Sequence, residues 1–122
     1  DGGTPLSANF KGRGSGKGIG NESVEIPIPR PYKTGPLAGK TMETIHTYGW
    51  YNRKYIADTR AKGATPILLT VTIRDIWTPG PDGKLHIERD MGFRTYDYEI
   101  AAEDHVPIVD MATVAADKFE ML

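Results

Sequence analysis

The chain has 122 residues, a formal net charge of -1 and 39% hydrophobic residues, which suits one domain with a modest core. Charge this evenly balanced argues against nucleic acid as a partner, because phosphate binding takes concentrated positive charge, and no apolar run reaches membrane-spanning length. Zero cysteines exclude disulfides, thiolate metal sites and a cysteine nucleophile.

The chain opens DGGTPLSANF, with neither a basic nor an apolar leader region, so a secreted and a cytoplasmic location both stay open. Residues 1–41 hold most of the glycines and many of the prolines and read as loop. Within them, GRGSGKG at 12–18 invites comparison with a phosphate cradle. The register is wrong, since Gly16-Lys17 is followed by Gly18 rather than Ser or Thr, and no strand precedes or helix follows. A surface loop is the better reading. Val24, Ile26 and Ile28 alternate, which predicts one extended stretch over 22–28; Pro27 and Pro29 restrict it to a sheet edge or a loop.

Residues 42–122 read as regular structure of the order αβαβα. A first helix is predicted from Thr44 or Thr47 to Lys62, with Ile45, Tyr48, Tyr51, Tyr55, Ile56 and Thr59 on one face and the tyrosines packed as core. Gly63 stands where a helix terminates. The run from Ala64 to Ile73 is nearly continuous in apolar residues, which predicts a parallel strand covered on both faces. Residues 74–89 carry Pro-Gly and Asp-Gly turn signals and read as loop. A second helix is predicted over 91–104, with Phe93, Tyr96, Ile100 and Ala101 facing inward. A short strand, VPIVD, follows over 106–110, parallel to the first. A third helix over 111–122 would present Met111, Val114, Ala115, Phe119 and Leu122.

Candidate chemistry is sparse. His46, His86 and His105 form neither HxxH nor HExxH, so no metal is expected, and nothing calls for a cofactor. The serines are Ser7, Ser15 and Ser23, all in the loop-rich third, and no GxSxG elbow occurs. Arg74 and Trp77 follow the first predicted strand, and open α/β sheets bind ligands beyond the carboxyl ends of their strands. Arg74 offers a rigid fork of donors and Trp77 a flat apolar face suited to a sugar ring; an ion pair and loop packing are the alternative. Asp110 ends the second strand and reads as the cap of the third helix.

The stretches HTYGWYNRKYIADTRAKGATPILLTVTIRDIW at 46–77 and VPIVDMATVAADKFEML at 106–122 resemble the rhamnogalacturonan acetylesterase branch of the SGNH (GDSL) hydrolases. Leu37-Ala38-Gly39 and Met42-Glu43-Thr44 fall where that family carries a long loop before a helix. The resemblance implies a three-layer α/β/α sandwich around a parallel sheet and removal of acetyl groups from pectin-type polysaccharide, with acetylated polysaccharide or a small acetyl ester as substrate. It also implies a serine nucleophile in a Gly-Asp-Ser block and a C-terminal Asp-x-x-His. Neither motif occurs here, and Asp104-His105 is adjacent rather than spaced. Asp1 resembles the last residue of the family's Gly-His-Asn-Asp block, a support position. The chain is therefore expected to be the central part of such an enzyme, inactive alone, with an incomplete sheet that a companion chain or a second copy would complete. The alternative is a non-catalytic carbohydrate-binding or structural fragment using Trp50, Trp77 and nearby tyrosines.

Overall fold

The computed structural model describes residues 3–11 and 14–122. The chain divides into two compact units, Asp1–Lys54 and Tyr55–Leu122, and the division falls within a helix.

In the first unit, β1 (Ser23–Pro27) pairs antiparallel with β2 (Met42–His46). The alternation of Val24 and Ile26 does produce a strand, and Ile45 across from Val24 is buried. Residues 42–46 are thus a strand and not the start of the helix. Two reasons are local: Thr44 and Ile45 are β-branched, and Thr47 provides a stop. The Thr47 side chain is fully buried; its hydroxyl donates to the Gly20 carbonyl at 2.6 Å and accepts the Trp50 amide at 3.1 Å. That second bond is an N-cap contact, so helix α1 begins at Tyr48 and runs to Ala61. Gly16 lies alongside Thr47, its amide bonded to the His46 carbonyl and its own carbonyl to the Tyr48 amide, both at 2.8 Å. A Cβ on Gly16 would meet Leu6 at 2.3 Å, which is why glycine is required at this close approach.

The second unit begins inside α1. Ile56 is buried, but Tyr55 is 71% exposed, so the expected tyrosine core does not extend to Tyr55. The helix ends as predicted: Gly63 has φ +76, and the Ala64 amide reaches back to the Thr59 carbonyl at 3.2 Å. Strand β3 (Leu68–Leu69) pairs parallel with β6 (Ile108–Val109), so the two predicted strands are adjacent and parallel, but over two residues each. Thr70 faces inward and is buried, while Ile67 and Leu69 are 57% and 56% exposed and Val71 is exposed too. The continuous apolar run is therefore covered on one face only. Helix α2 (Phe93–Asp104) packs on both strands from that covered face.

Between β3 and α2 the expected loop contains an antiparallel hairpin, β4 (Trp77–Pro79) with β5 (Leu85–Ile87). Pro-Gly and Asp-Gly mark its turn, where Gly83 has φ +76 and the Gly80 amide bonds to the Lys84 carbonyl at 2.8 Å. Asp90 accepts the Gly92 amide at 2.8 Å and the Thr95 hydroxyl, which fixes the entry to α2. Ile100 is fully buried, which stabilises by about 1.5–3 kcal/mol. His105 closes the helix in the left-handed conformation. Helix α3 (Met111–Glu120) buries Ala112 and Ala116, whereas Val114, Phe119 and Leu122 are exposed, so the buried stripe lies one face away from the expected one.

Among the described residues the sheets are three separate pairs. The architecture is mixed α/β with three helices beside short sheets, rather than a single parallel sheet in a three-layer sandwich. Among the same residues no helix is long and apolar enough to cross a membrane.

Candidate functional site

The carboxyl ends of β3 and β6 place Thr70 and Asp110 side by side, with the Thr70 hydroxyl 3.3 Å from Asp110 Oδ1. The same hydroxyl accepts the Ala112 amide at 2.9 Å, tying β3 to the first turn of α3. Asp110 caps α3, accepting the Thr113 amide at 3.0 Å and its hydroxyl at 2.8 Å. Arg94 and Tyr98, one turn apart on α2, reach Asp110 Oδ2 as well: Arg94 through Nε at 2.9 Å and Nη2 at 2.7 Å, Tyr98 through its hydroxyl at 3.0 Å. The Arg94 guanidinium also lies 5.0 Å from the Tyr98 ring centre.

Burial works against the Asp110 charge, but the donors of Arg94, Thr113 and Tyr98 outweigh it and hold the carboxyl well below the usual aspartate range. The Tyr98 phenol is raised, chiefly by its bond to Asp110. A carboxylate so fully engaged has no lone pair or basicity left for proton abstraction near neutral pH. It joins three elements, and the cap assignment made from sequence agrees with the Thr113 bond.

Beyond β3, Arg74 lies in the connecting loop and Trp77 opens β4. Both are exposed, Trp77 by 39%, and the Trp77 indole N–H donates to Asp75 Oδ1 at 2.7 Å. Asp75 thus fixes the indole edge of a part-exposed ring. Among the described residues, no hydrogen bond or ion pair joins Arg74 or Trp77 to the Asp110 cluster. Asp1 lies outside the described residues, as do Gly12 and Arg13 of the glycine-rich loop.

A second polar cluster ties the hairpin to α3. His86 on β5 lies 3.0 Å from Asp82 through Nε2 and 3.3 Å from Glu120 through Nδ1. The other Glu120 oxygen accepts the Ile87 amide at 2.9 Å, and Arg89 pairs with both Asp117 and Glu120. The His86 pKa is raised, first by the bond to Asp82 and then by Glu120.

Neither cluster was visible as such in the sequence. The available signal was the Arg94–Tyr98 spacing, which puts both on one helical face, and a histidine four residues after an aspartate in a turn. The other histidines are placed differently. His46 stacks on Trp50 at 3.5 Å and is lowered by burial, which occupies one face of that tryptophan; His105 is a helix cap. Ser7, Ser15 and Ser23 all belong to the first unit. Among the described residues no group of three or more His, Cys, Asp or Glu is arranged to hold a metal ion.

No family model, no curated protein and no solved structure matches the chain.

Proposed function

We propose that this chain is the central part of an SGNH-type carbohydrate acetylesterase acting on pectin-type polysaccharide. The chain would supply a substrate-facing surface without the nucleophile. The carrying observation is the parallel β3–β6 pair followed, beyond its carboxyl end, by exposed Arg74 and by Trp77 held through Asp75. In open α/β sheets that is where ligands bind. A tryptophan face fits a sugar ring, and a guanidinium fits a uronate carboxylate or an ester carbonyl. The chemistry of the parent would be serine attack on the acetyl ester, with the oxyanion held by preorganised donors. The sequence carries neither Gly-Asp-Ser nor Asp-x-x-His, and Asp110 is too engaged to replace them. A companion chain or second copy would cover Ile67, Leu69 and Val71 and extend the short sheet.

The second reading is a non-catalytic carbohydrate-binding fragment, favoured by the same exposed tryptophan. Two measurements test both. The chain, verified by intact mass, should hydrolyse p-nitrophenyl acetate no faster than background. Its migration through gels containing acetylated pectin should be retarded, and Arg74→Ala or Trp77→Ala should relieve the retardation. Serine-reagent-sensitive turnover by this chain alone would make Ser7, Ser15 or Ser23 the nucleophile and end the central-part reading. Retardation indifferent to both substitutions would remove Arg74 and Trp77 from the site.

A further inference from the structure

The first unit contains a cavity of about 420 Å³ that the surface around Trp77 does not involve. Its walls are Ile26 and Ile45 from the hairpin β1–β2, Tyr32 and Leu37 from the connection between those strands, and Tyr51 from α1. Glu43, the cross-strand partner of Ile26, also lines it. A second hollow of about 640 Å³ shares Ile26 and Glu43, so the depression continues past the carboxylate.

The polar groups here, among the described residues, are lightly engaged. Among the described residues the Glu43 carboxylate and the Tyr32 hydroxyl make no hydrogen bond or ion pair. Among the same residues the Tyr51 hydroxyl accepts the His46 amide at 3.3 Å and makes no other hydrogen bond, leaving its own hydrogen to donate, while its ring packs edge-on with His46 and Trp50. A hollow of this size whose walls mix apolar side chains with several polar groups fits a small ligand.

We infer that this cavity is a binding site for a neutral sugar ring of a glycan chain, with half-exposed Tyr32 supplying a ring face, Tyr32 and Tyr51 their hydroxyls, and Glu43 accepting from sugar hydroxyls. A sugar presents a patch of C–H bonds and a rim of hydroxyls, and the walls offer the complement of each. Charge-assisted bonds from hydroxyls to a carboxylate are the stronger kind. Glu43 is the charged residue among the described ones lining the first hollow, which disfavours a uronate beside it, while Lys11 lines the second hollow. A cage for an organic cation needs rings that desolvate it, and Tyr32 remains 47% exposed. The continuation past Glu43 favours a ring within a chain over a free sugar. The inference does not depend on the esterase reading.

The test is a titration of the intact ¹⁵N-labelled chain followed amide by amide. The probes are methyl glucoside, methyl galactoside and methyl rhamnoside, with sodium galacturonate and choline beside them. At least one neutral glycoside should shift the amides of Ile26, Glu43, Ile45 and Tyr51 saturably, and galacturonate should not. Tyr32→Ala, at an exposed position where the fold is spared, should weaken binding about tenfold. Glu43→Gln should weaken the neutral sugar and narrow its advantage over galacturonate. Trp77→Ala should leave these shifts unchanged, which separates this site from the proposed groove. Absence of saturable shifts with all three glycosides, or shifts with choline in their place, would overturn the inference.

Discussion

Asp110 carries more bonds than any other side chain described here, and its removal has a calculable effect. Asp110→Ala deletes the cap of α3, about 1 kcal/mol, and takes the carboxylate from the Arg94 guanidinium, which is a third exposed and so adds up to about 1 kcal/mol. Urea denaturation should show the sum, with Asp110→Asn losing less because the amide oxygen still caps. The pH dependence has a definite sign. The folded-state pKa is depressed, so the stabilisation is fully present above the unfolded value of about 3.9 and is lost as pH falls through the lower, folded one. The wild-type midpoint should drop below about pH 4, and Asp110→Asn should flatten that drop. The capping role was readable from one residue before a helix. Arg94 and Tyr98 were not readable as partners, because only packing of α2 on the strands brings them to Asp110.

The helices were read well where caps and periodicity agreed. Gly63 and Asp110 marked boundaries that the structure keeps, since both act through local backbone geometry. The strands were read less well. Met42–His46 pairs with a strand some twenty residues earlier, and the hairpin β4–β5 hid behind its own turn signals because three-residue strands carry too little pattern. That hairpin yields a prediction of its own. His86 is bonded to Asp82 and Glu120, with Arg89 and Asp117 the other charged groups at the junction. A raised histidine pKa means stabilisation fully present below the unfolded value of about 6.5 and lost as pH rises through the folded one. The protection factor of the Ile87 amide, which Glu120 accepts, should therefore fall as the imidazole deprotonates. His86→Gln should remove that pH dependence; a dependence that survives the substitution would assign it to another group.

At the scale of the whole molecule, the apolar run from Ile67 to Val71 matters most. It predicted a strand covered on both faces, and the chain covers one. Exposed Ile67, Leu69 and Val71, joined by exposed Val109 on β6, make a contiguous β surface with unpaired edges, the kind that recruits another strand. Sedimentation over a wide concentration range should show self-association, and Leu69→Lys should suppress it without changing the helical circular dichroism. A monomer at all concentrations would argue against a second copy as the covering partner. The wider organisation was not readable, because the division at Lys54 and Tyr55 falls inside a well-formed helical pattern and leaves no mark in composition.

The β3–β6 pairing has a kinetic side. Thr70 and Asp110 are 40 residues apart in sequence. Closing a loop of that length costs on the order of 3 kcal/mol beyond a constant, while a backbone bond such as that from Leu68 or Thr70 returns about 1 kcal/mol. The ladder cannot nucleate the second unit. Helices α2 and α3, built from local contacts, are expected to form first, which pulse-labelled hydrogen exchange would show as protection of their amides ahead of those of Leu68 and Thr70.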